Sequence, residues 1–251
     1  MEYISVTNDN LESEHICCAI SSNKDVQVSS KKAWLKDRFN DGLVFLKSVE
    51  RGKCFIEYIP AENAWSPIVA DGYMYIDCFW VSGSFKGHGY ANDLLGACIE
   101  DSKAKGKHGL CVLSSEKKRP FLSDPGYLAH KGFTVADESQ TGIRLMYLPF
   151  DADCRVPHFS DTAKRPHIDE NGYVLFYTSQ CPFNAKYVPI LEKTAADNGI
   201  PFKVIPIVSK EQAQAAPSPC TTFALFHDGN FLTHEQLSDK KFLKLAMENK
   251  A

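Results

Sequence analysis

No apolar run in the 251-residue sequence reaches the roughly 18 residues of a membrane-spanning helix, which argues against a bilayer partner. Cys-x-x-Cys pairs and His-Glu-x-x-His segments are absent too, so the local spacings that hold zinc are missing and no metal is expected. Charge of one sign is also lacking. Lys and Arg number 28 against 31 Asp and Glu, a net charge of −3, which leaves no electrostatic footprint for nucleic acid or anionic lipid. The start MEYISVTNDN has neither the basic nor the apolar region of a secretion signal, so a cytoplasmic location is expected. Internal repeats and low-complexity tracts are not visible.

What is present is ordinary for a globular protein: 44% hydrophobic and 24% charged residues, enough for one large domain or two modest ones. Nine cysteines are scattered and odd in number, with Cys54 in KCFIEY and Cys111 in GLCVL set among apolar residues. Reduced, buried thiols are expected rather than a disulfide framework. The Cys17-Cys18 doublet falls on an expected helix, where neighbouring side chains point in different directions.

Residues 1–150 read as an irregular alternation of helices and strands. YISVT, GLVFLKSVE, KCFIEYIPA, YMYIDCFWVSG and HGLCVLSS are β-branched and aromatic enough for strands, and FTVADES with IRLMYLPF suggests a hairpin-like pair. Helices are expected over NLESEHICCAI, opened by an Asn cap, over SKKAWLKDRFNDG, over YANDLLGACIEDSKAKG and briefly over SDPGYLAHKG. Residues 151–172 carry two prolines, many polar residues and no period, and read as a linker. Residues 173–251 then show a second rhythm of strand, helix, strand, an Asp228-Gly229 hairpin and a last helix.

Between the strand YIDCFWV and the helix at Tyr90 lies FKGHGYANDLL, with two glycines where a helix begins. Glycine is a poor helix former, so a bare backbone must serve something there. Free N–H groups and the positive end of the helix dipole make such a turn an anion site, suited to phosphate or pyrophosphate. It is not a P-loop, because no Gly-Lys-Ser/Thr follows, and its glycines are misplaced for a dinucleotide fingerprint.

In this context Lys86-Gly87-His88-Gly89-Tyr90-Ala91 resembles motif A of the GNAT acetyltransferase superfamily, with Lys in the place of the usual Gln or Arg. HKGF at 130–133 resembles that family's helix-ending "GF" element, and the resemblance spans roughly residues 1–150. It implies an α/β (α+β) domain with a mixed central sheet and flanking helices. It also implies acetyl-CoA as co-substrate, its pyrophosphate held by amides of Gly87, His88, Gly89, Tyr90, Ala91 and Asn92 beside Lys86. Main-chain groups of Phe79, Trp80 and Val81 would pair with the pantetheine arm.

Acetyl transfer to an amine needs a base, a polarised thioester and an acid for the leaving thiolate. The family's tyrosine acid would stand five residues before Phe133, where this chain has Leu128; the tyrosine is Tyr127. One residue on a helix is a turn of about 100°, which directs Tyr127 toward the core and predicts a modest role. The family's Asn after the fifth strand is replaced by Ser114-Ser115. Glu57 in FIEY and Asp77 in YIDCFW are the candidate bases, since burial among apolar neighbours raises a carboxyl pKa. On alternating strands both also suit edge-facing structural carboxylates, and His88 is expected to be exposed rather than catalytic.

In the second region Cys181-Pro182 stands where a strand gives way to a helix, a position that favours thiolate. The element order resembles a thioredoxin-like fold, but Asn184 occupies the resolving-cysteine position and Cys220 is the only other thiol of this region. The pairing of the two regions is similar to that of YoaP-type acetyltransferases. Expected, then, is an acetyl-CoA-dependent N-acetyltransferase acting on a small-molecule or peptide amine, with domain 1–150, linker 151–172 and domain 173–251. Two alternatives stand beside it: a thiol-based redox or electrophile-handling protein using Cys181, and a CoA-binding sensor with an inactive transferase fold.

Overall fold

In the computed structural model, which describes residues 1–18 and 24–249, the chain opens with β1 (Tyr3–Val6), α1 (Val26–Phe39), β2 (Val44–Ser48), β3 (Cys54–Pro60) and the short β4 (Ile68–Val69). β5 (Tyr73–Val81) leads through the glycine turn into α2 (Tyr90–Ala104), and β6 (Gly109–Ser115), α3 (Pro125–His130), β7 (Thr134–Glu138) and β8 (Ile143–Pro149) follow. β9 (His158–Phe159) and α4 (Asp161–Lys164) lie in the connecting segment. Then come β10 (Tyr173–Tyr177), α5 (Asn184–Asp197), β11 (Phe202–Pro206), α6 (Lys210–Gln214), β12 (Phe223–His227), β13 (Asn230–Thr233) and α7 (Asp239–Glu248).

A seven-stranded sheet runs β1-β2-β3-β5-β6-β8-β7, antiparallel throughout except for the parallel pair β5 and β6. Strand alternation sorts its residues into two cores. Cys54, Ile56 and Tyr58 of β3 join Met74 and Ile76 of β5 and Leu94, Leu95 and Cys98 of α2. Phe55 and Ile59 of β3 join Tyr73 and Tyr75 of β5 on the opposite face, which packs on Trp34 and Leu35 of α1.

A helix over residues 10–20 does not form in its described part; residues 8–14 run as turns, and residues 19 and 20 lie outside the described residues. Local polar contacts win there. The Asn10 side chain accepts from the Thr7 amide at 2.8 Å, while Lys32 donates to the Glu12 carbonyl at 2.7 Å and the fully buried Lys47 pairs with Glu14 at 2.7 Å.

The second region builds a four-stranded sheet, β11-β10-β12-β13, with β10 and β11 parallel and the other pairs antiparallel. Residues 151–172 are not a slack tether. β9 pairs with β4, Phe159 and Ala163 are buried, and Ser139 donates to the Ala163 carbonyl at 2.9 Å. Ile207, Ala213, Ala216 and Cys220 of the second region share one hydrophobic core with Trp34, Trp65 and Tyr75 of the first. Thr221 donates to the Trp65 carbonyl at 2.5 Å, and Gln214 to the carbonyls of Glu62 and Ala64 at 3.2 Å.

Candidate active site

The site begins with a mismatch between two strands. β5 and β6 pair in parallel from Tyr73 opposite Gly109 to Ile76 opposite Val112, and there the ladder stops. β5 runs on to Val81 and β6 to Ser115. The cause lies on the other edge of β5, where Glu57 faces Cys78 and Tyr58 faces Ile76, leaving Asp77 as an extra residue. Such a bulge bends its strand and ends regular pairing. Past it Cys78 and Trp80 pack toward the α1-side core, and Phe79 and Val81 toward the α2-side core. Phe79, Trp80 and Val81 are half-buried and pair with β3 on one edge only, so their other edge faces the gap.

The gap leads to the glycine turn. Gly87 and Gly89 take φ of 82° and 83°, a left-handed backbone, and space is open where a Cβ would stand on either. Gly89 is the N-cap of α2 and offers no side-chain cap. The amides of residues 87–91 find no acceptor among the described residues. Lys86, Gly87, His88, Gly89 and Asn92 are exposed, Tyr90 and Ala91 half-buried, and the His88 ring stacks on Tyr90 with centroids 5.4 Å apart. The result is a row of free donors with room in front of them, the chemistry of an anion site.

Tyr127 packs at the margin of the α2-side core, half-buried, with its hydroxyl turned outward. Leu128 is the fully buried residue of α3, while the Tyr127 hydroxyl donates to Asn92 Oδ1 at 3.3 Å and its ring meets Phe79 edge-on at 5.7 Å. The offset of one residue thus turns the ring toward the start of α2 and the end of β5. Burial pushes the phenol up to about 12, so it is protonated at neutral pH. Ser114 and Ser115 donate to the carbonyls of Ser123 and Lys117 at 2.8 and 2.6 Å, holding the following loop.

On the α1 face, Asp77 and Glu57 come together with a partner the sequence did not single out. α1 buries Val28, Lys31 and Leu35, three and four residues apart, so Lys31 falls on the apolar stripe. Its ammonium donates to both carboxylate oxygens of Glu57, at 2.8 and 2.6 Å, and both side chains are essentially solvent-free. Burial works against the Lys31 charge, but Glu57 outweighs it and holds the lysine above its usual range. Asp77 is driven well above the usual carboxylate range, first by burial and then by the Glu57 charge, while Lys31 and Gln180 pull it down. Gln180 comes from the second region: its amide donates to Asp77 Oδ1 at 3.3 Å and to the Asp77 carbonyl at 3.4 Å. Nothing in TSQCPF marks this glutamine as a partner of a strand about a hundred residues earlier.

The two candidate thiols lie differently from expectation. α5 starts at Asn184, not at Cys181, so the thiol stands a turn before the helix. Cys181 Sγ accepts from Gln236 Nε2 at 3.2 Å, and burial pushes the thiol up to about 11 despite the Phe183 amide, which corrects the expected shift toward thiolate. Asn184 is buried and bonded to the carbonyls of Thr178 and Thr222 and to Gln236, so this position holds the loop together. Cys220 is 4% exposed and is pushed up to about 12 by burial. All nine cysteines are free, and Cys18 of the doublet reaches Cys78 beside Asp77.

A separate groove lies elsewhere. It has a volume of about 710 Å³ and is lined by Ser5, Asn8, Phe39, Leu46, Tyr58 and Asp101, outside the gap. We place the site at the gap because the free amides, the bulged Asp77 and the Tyr127 phenol border it along β5 and the turn that follows. No helix among the described residues is long and apolar enough to cross a membrane.

Comparison with known proteins gives two family matches. A model described as the acetyltransferase (GNAT) family matches residues 8–120, and one described as YoaP-like matches residues 201–244. A Bacillus subtilis (strain 168) protein named "Uncharacterized N-acetyltransferase YoaP" is 45% identical over 246 residues, 98% of either chain. Among solved structures, a ribosomal-protein-alanine N-acetyltransferase from Brucella melitensis is 16% identical with a TM-score of 0.42, over 60% of this chain and 100% of that one. A GNAT family acetyltransferase from the same organism, in complex with acetyl-CoA, is 15% identical with a TM-score of 0.39, over 61% and 90%.

Proposed function

The chain belongs to the GNAT acetyltransferase family and carries a YoaP-like C-terminal region, and from that premise we propose that it transfers the acetyl group of acetyl-CoA to an amine of a small molecule or peptide. The observation that carries the reading is the continuity of the gap. β5 outruns its last parallel pair by five residues, from Asp77 to Val81, and the turn beyond it ends on an uncapped helix with free amides. An extended thioester arm fits the open edge at Phe79, Trp80 and Val81, and a pyrophosphate fits the amides of residues 87–91 beside Lys86, the expected Asn92 amide being taken by the Gly89 carbonyl at 2.8 Å.

Each chemical role then falls to a residue at the gap. Asp77 takes the proton that the amine loses as its nitrogen attacks the thioester carbon. Its pKa, raised by burial and the Glu57 charge, makes it a stronger base than an ordinary carboxylate, and the Gln180 amide holds it in place. The N–C bond forms, the C–S bond breaks, and Tyr127 donates its phenolic proton to the departing thiolate. Glu57 serves beside them as the counter-ion of Lys31, which keeps a negative charge next to Asp77.

The C-terminal region we read as thioredoxin-like, supported by its strand-helix-strand unit followed by a hairpin and a helix. Its role in this reading is to cover the acceptor side rather than to cycle a disulfide, because burial holds both Cys181 and Cys220 as thiols. Nine free thiols suit a reducing, cytoplasmic setting.

The test is to mix the protein with acetyl-CoA and a panel of small amines and peptides, following CoA release and the mass of the acceptor. Amine-dependent release with an acetylated product is expected. Acetyl-CoA binding with no acceptor acetylated across the panel would favour a sensor with an inactive transferase fold.

A further inference from the structure

At the end of the sheet remote from the glycine turn, three metal-ligating side chains of different chemistry meet. They are His108, just before β6, and Asp151 and Cys154, just after β8. One ligand atom from each lies within 4.8 Å of the others. The sequence showed no metal signal because 43 residues separate His108 from Asp151; only the antiparallel pairing of β6 and β8, with Gly109 opposite Pro149, brings them together.

The cluster is held by contacts outside itself. The His108 amide donates to the Gly72 carbonyl at 2.8 Å, and the Phe150 amide donates to the His108 carbonyl at 2.7 Å. Gly72, at φ 80°, leaves space for the imidazole: a Cβ there would stand 2.3 Å from His108 Cδ2. On the other side the buried Tyr73 hydroxyl donates to the Arg155 carbonyl at 2.9 Å and fixes the chain just past Cys154. The Cys154 thiol donates to the His108 carbonyl at 3.3 Å, so its sulfur already sits against the histidine. His108 and Asp151 are exposed and Cys154 half-buried, which leaves a path for an ion.

We propose that His108, Asp151 and Cys154 bind a divalent cation of borderline softness, Zn²⁺, with water as the fourth ligand. A thiolate and a carboxylate together cancel the ion's two charges, and the neutral imidazole adds the third donor. Tetrahedral zinc with bonds of about 2.0–2.3 Å needs ligand atoms roughly 3.5 Å apart. The three atoms, all within 4.8 Å of one another, close by no more than an ångström or so on binding, and Cys154 exchanges its proton for the metal. The bound ion clips the start of β6 to the segment that leads into the C-terminal region, a structural part distinct from acetyl transfer.

The experiment uses the full chain stripped with a chelator and kept reduced. Zn²⁺ is titrated in competition with a chromogenic chelator, and Co²⁺ is added separately to read the thiolate-to-cobalt charge-transfer band in the near ultraviolet. The expected result is one tight equivalent of Zn²⁺, a cobalt band, and a melting temperature that rises with Zn²⁺. Cys154→Ser and His108→Ala, checked for native circular dichroism, should lose the band. Their zinc affinity should fall by more than the roughly 10–100-fold that follows loss of a merely supporting partner. Asp151→Asn, nearly isosteric, should keep the band while weakening zinc. A band and affinity that survive Cys154→Ser would place the metal on other thiols and overturn the proposal, as would a wild-type chain that takes no zinc from the chelator.

Discussion

At Asp77 the pH dependence has a defined sign. A base must be ionised to accept a proton, and this carboxyl is held above its usual range by burial and by Glu57. Turnover should therefore rise with pH through a limb well above that of an ordinary carboxylate, and Asp77→Asn should lower kcat by about 10²–10⁴ and erase the limb. Gln180→Ala removes the one amide that stabilises the ionised form, so the limb should move to higher pH while the maximal rate changes less. A rate profile that keeps its limb in place would remove Gln180 from the mechanism. Tyr127→Phe tests the acid. Because the hydroxyl reaches Asn92 and the ring meets Phe79 at the gap, a loss of about a hundredfold in kcat is expected, with acetyl-CoA affinity nearly unchanged.

The glycine turn and α1 work as elements, through backbone and helix face. Gly89→Asp places a carboxylate before the free amides of α2, on a backbone at φ 83°. The strain costs about 1 kcal/mol, a small change in melting temperature, whereas like-charge contact with pyrophosphate costs several kcal/mol. Calorimetry should show acetyl-CoA affinity reduced by at least about a hundredfold. On α1, Lys31→Met leaves Glu57 buried without its cation and should destabilise the fold by about 3–5 kcal/mol in urea unfolding, while Lys31→Met combined with Glu57→Leu should recover most of it. A double variant as unstable as the single one would mean that the pair contributes through packing and not through charge.

Seen as a whole, the chain was legible where one element suffices. The strands of both sheets, the helix after the glycine turn and the Asp228-Gly229 hairpin could be read from period and turn residues. The anion turn was legible because glycine and a missing cap leave a local mark. Lys31, Gln180 and the His108 cluster were not, since each depends on a neighbour distant in sequence. A lysine in SSKKAWL looks like any surface charge until α1 lies across β3. The core shared by Trp65 and Cys220 likewise joins two regions that sequence rhythm separates. It predicts one cooperative thermal transition: all three tryptophans lie in residues 1–150, so their fluorescence should change together with the thiol accessibility of Cys220. Labelling of Cys220 well before the tryptophan transition would show two independent units. The central claim, that acetyl-CoA lies along the open edge of β5 and on the amides of α2, is tested most directly by hydrogen exchange with and without acetyl-CoA. Protection is expected in peptides covering residues 77–92, with a smaller change around Gln180. Protection confined to residues 5–9, 39–46 and 97–101, which border the separate groove at Tyr58 and Asp101, would contradict it.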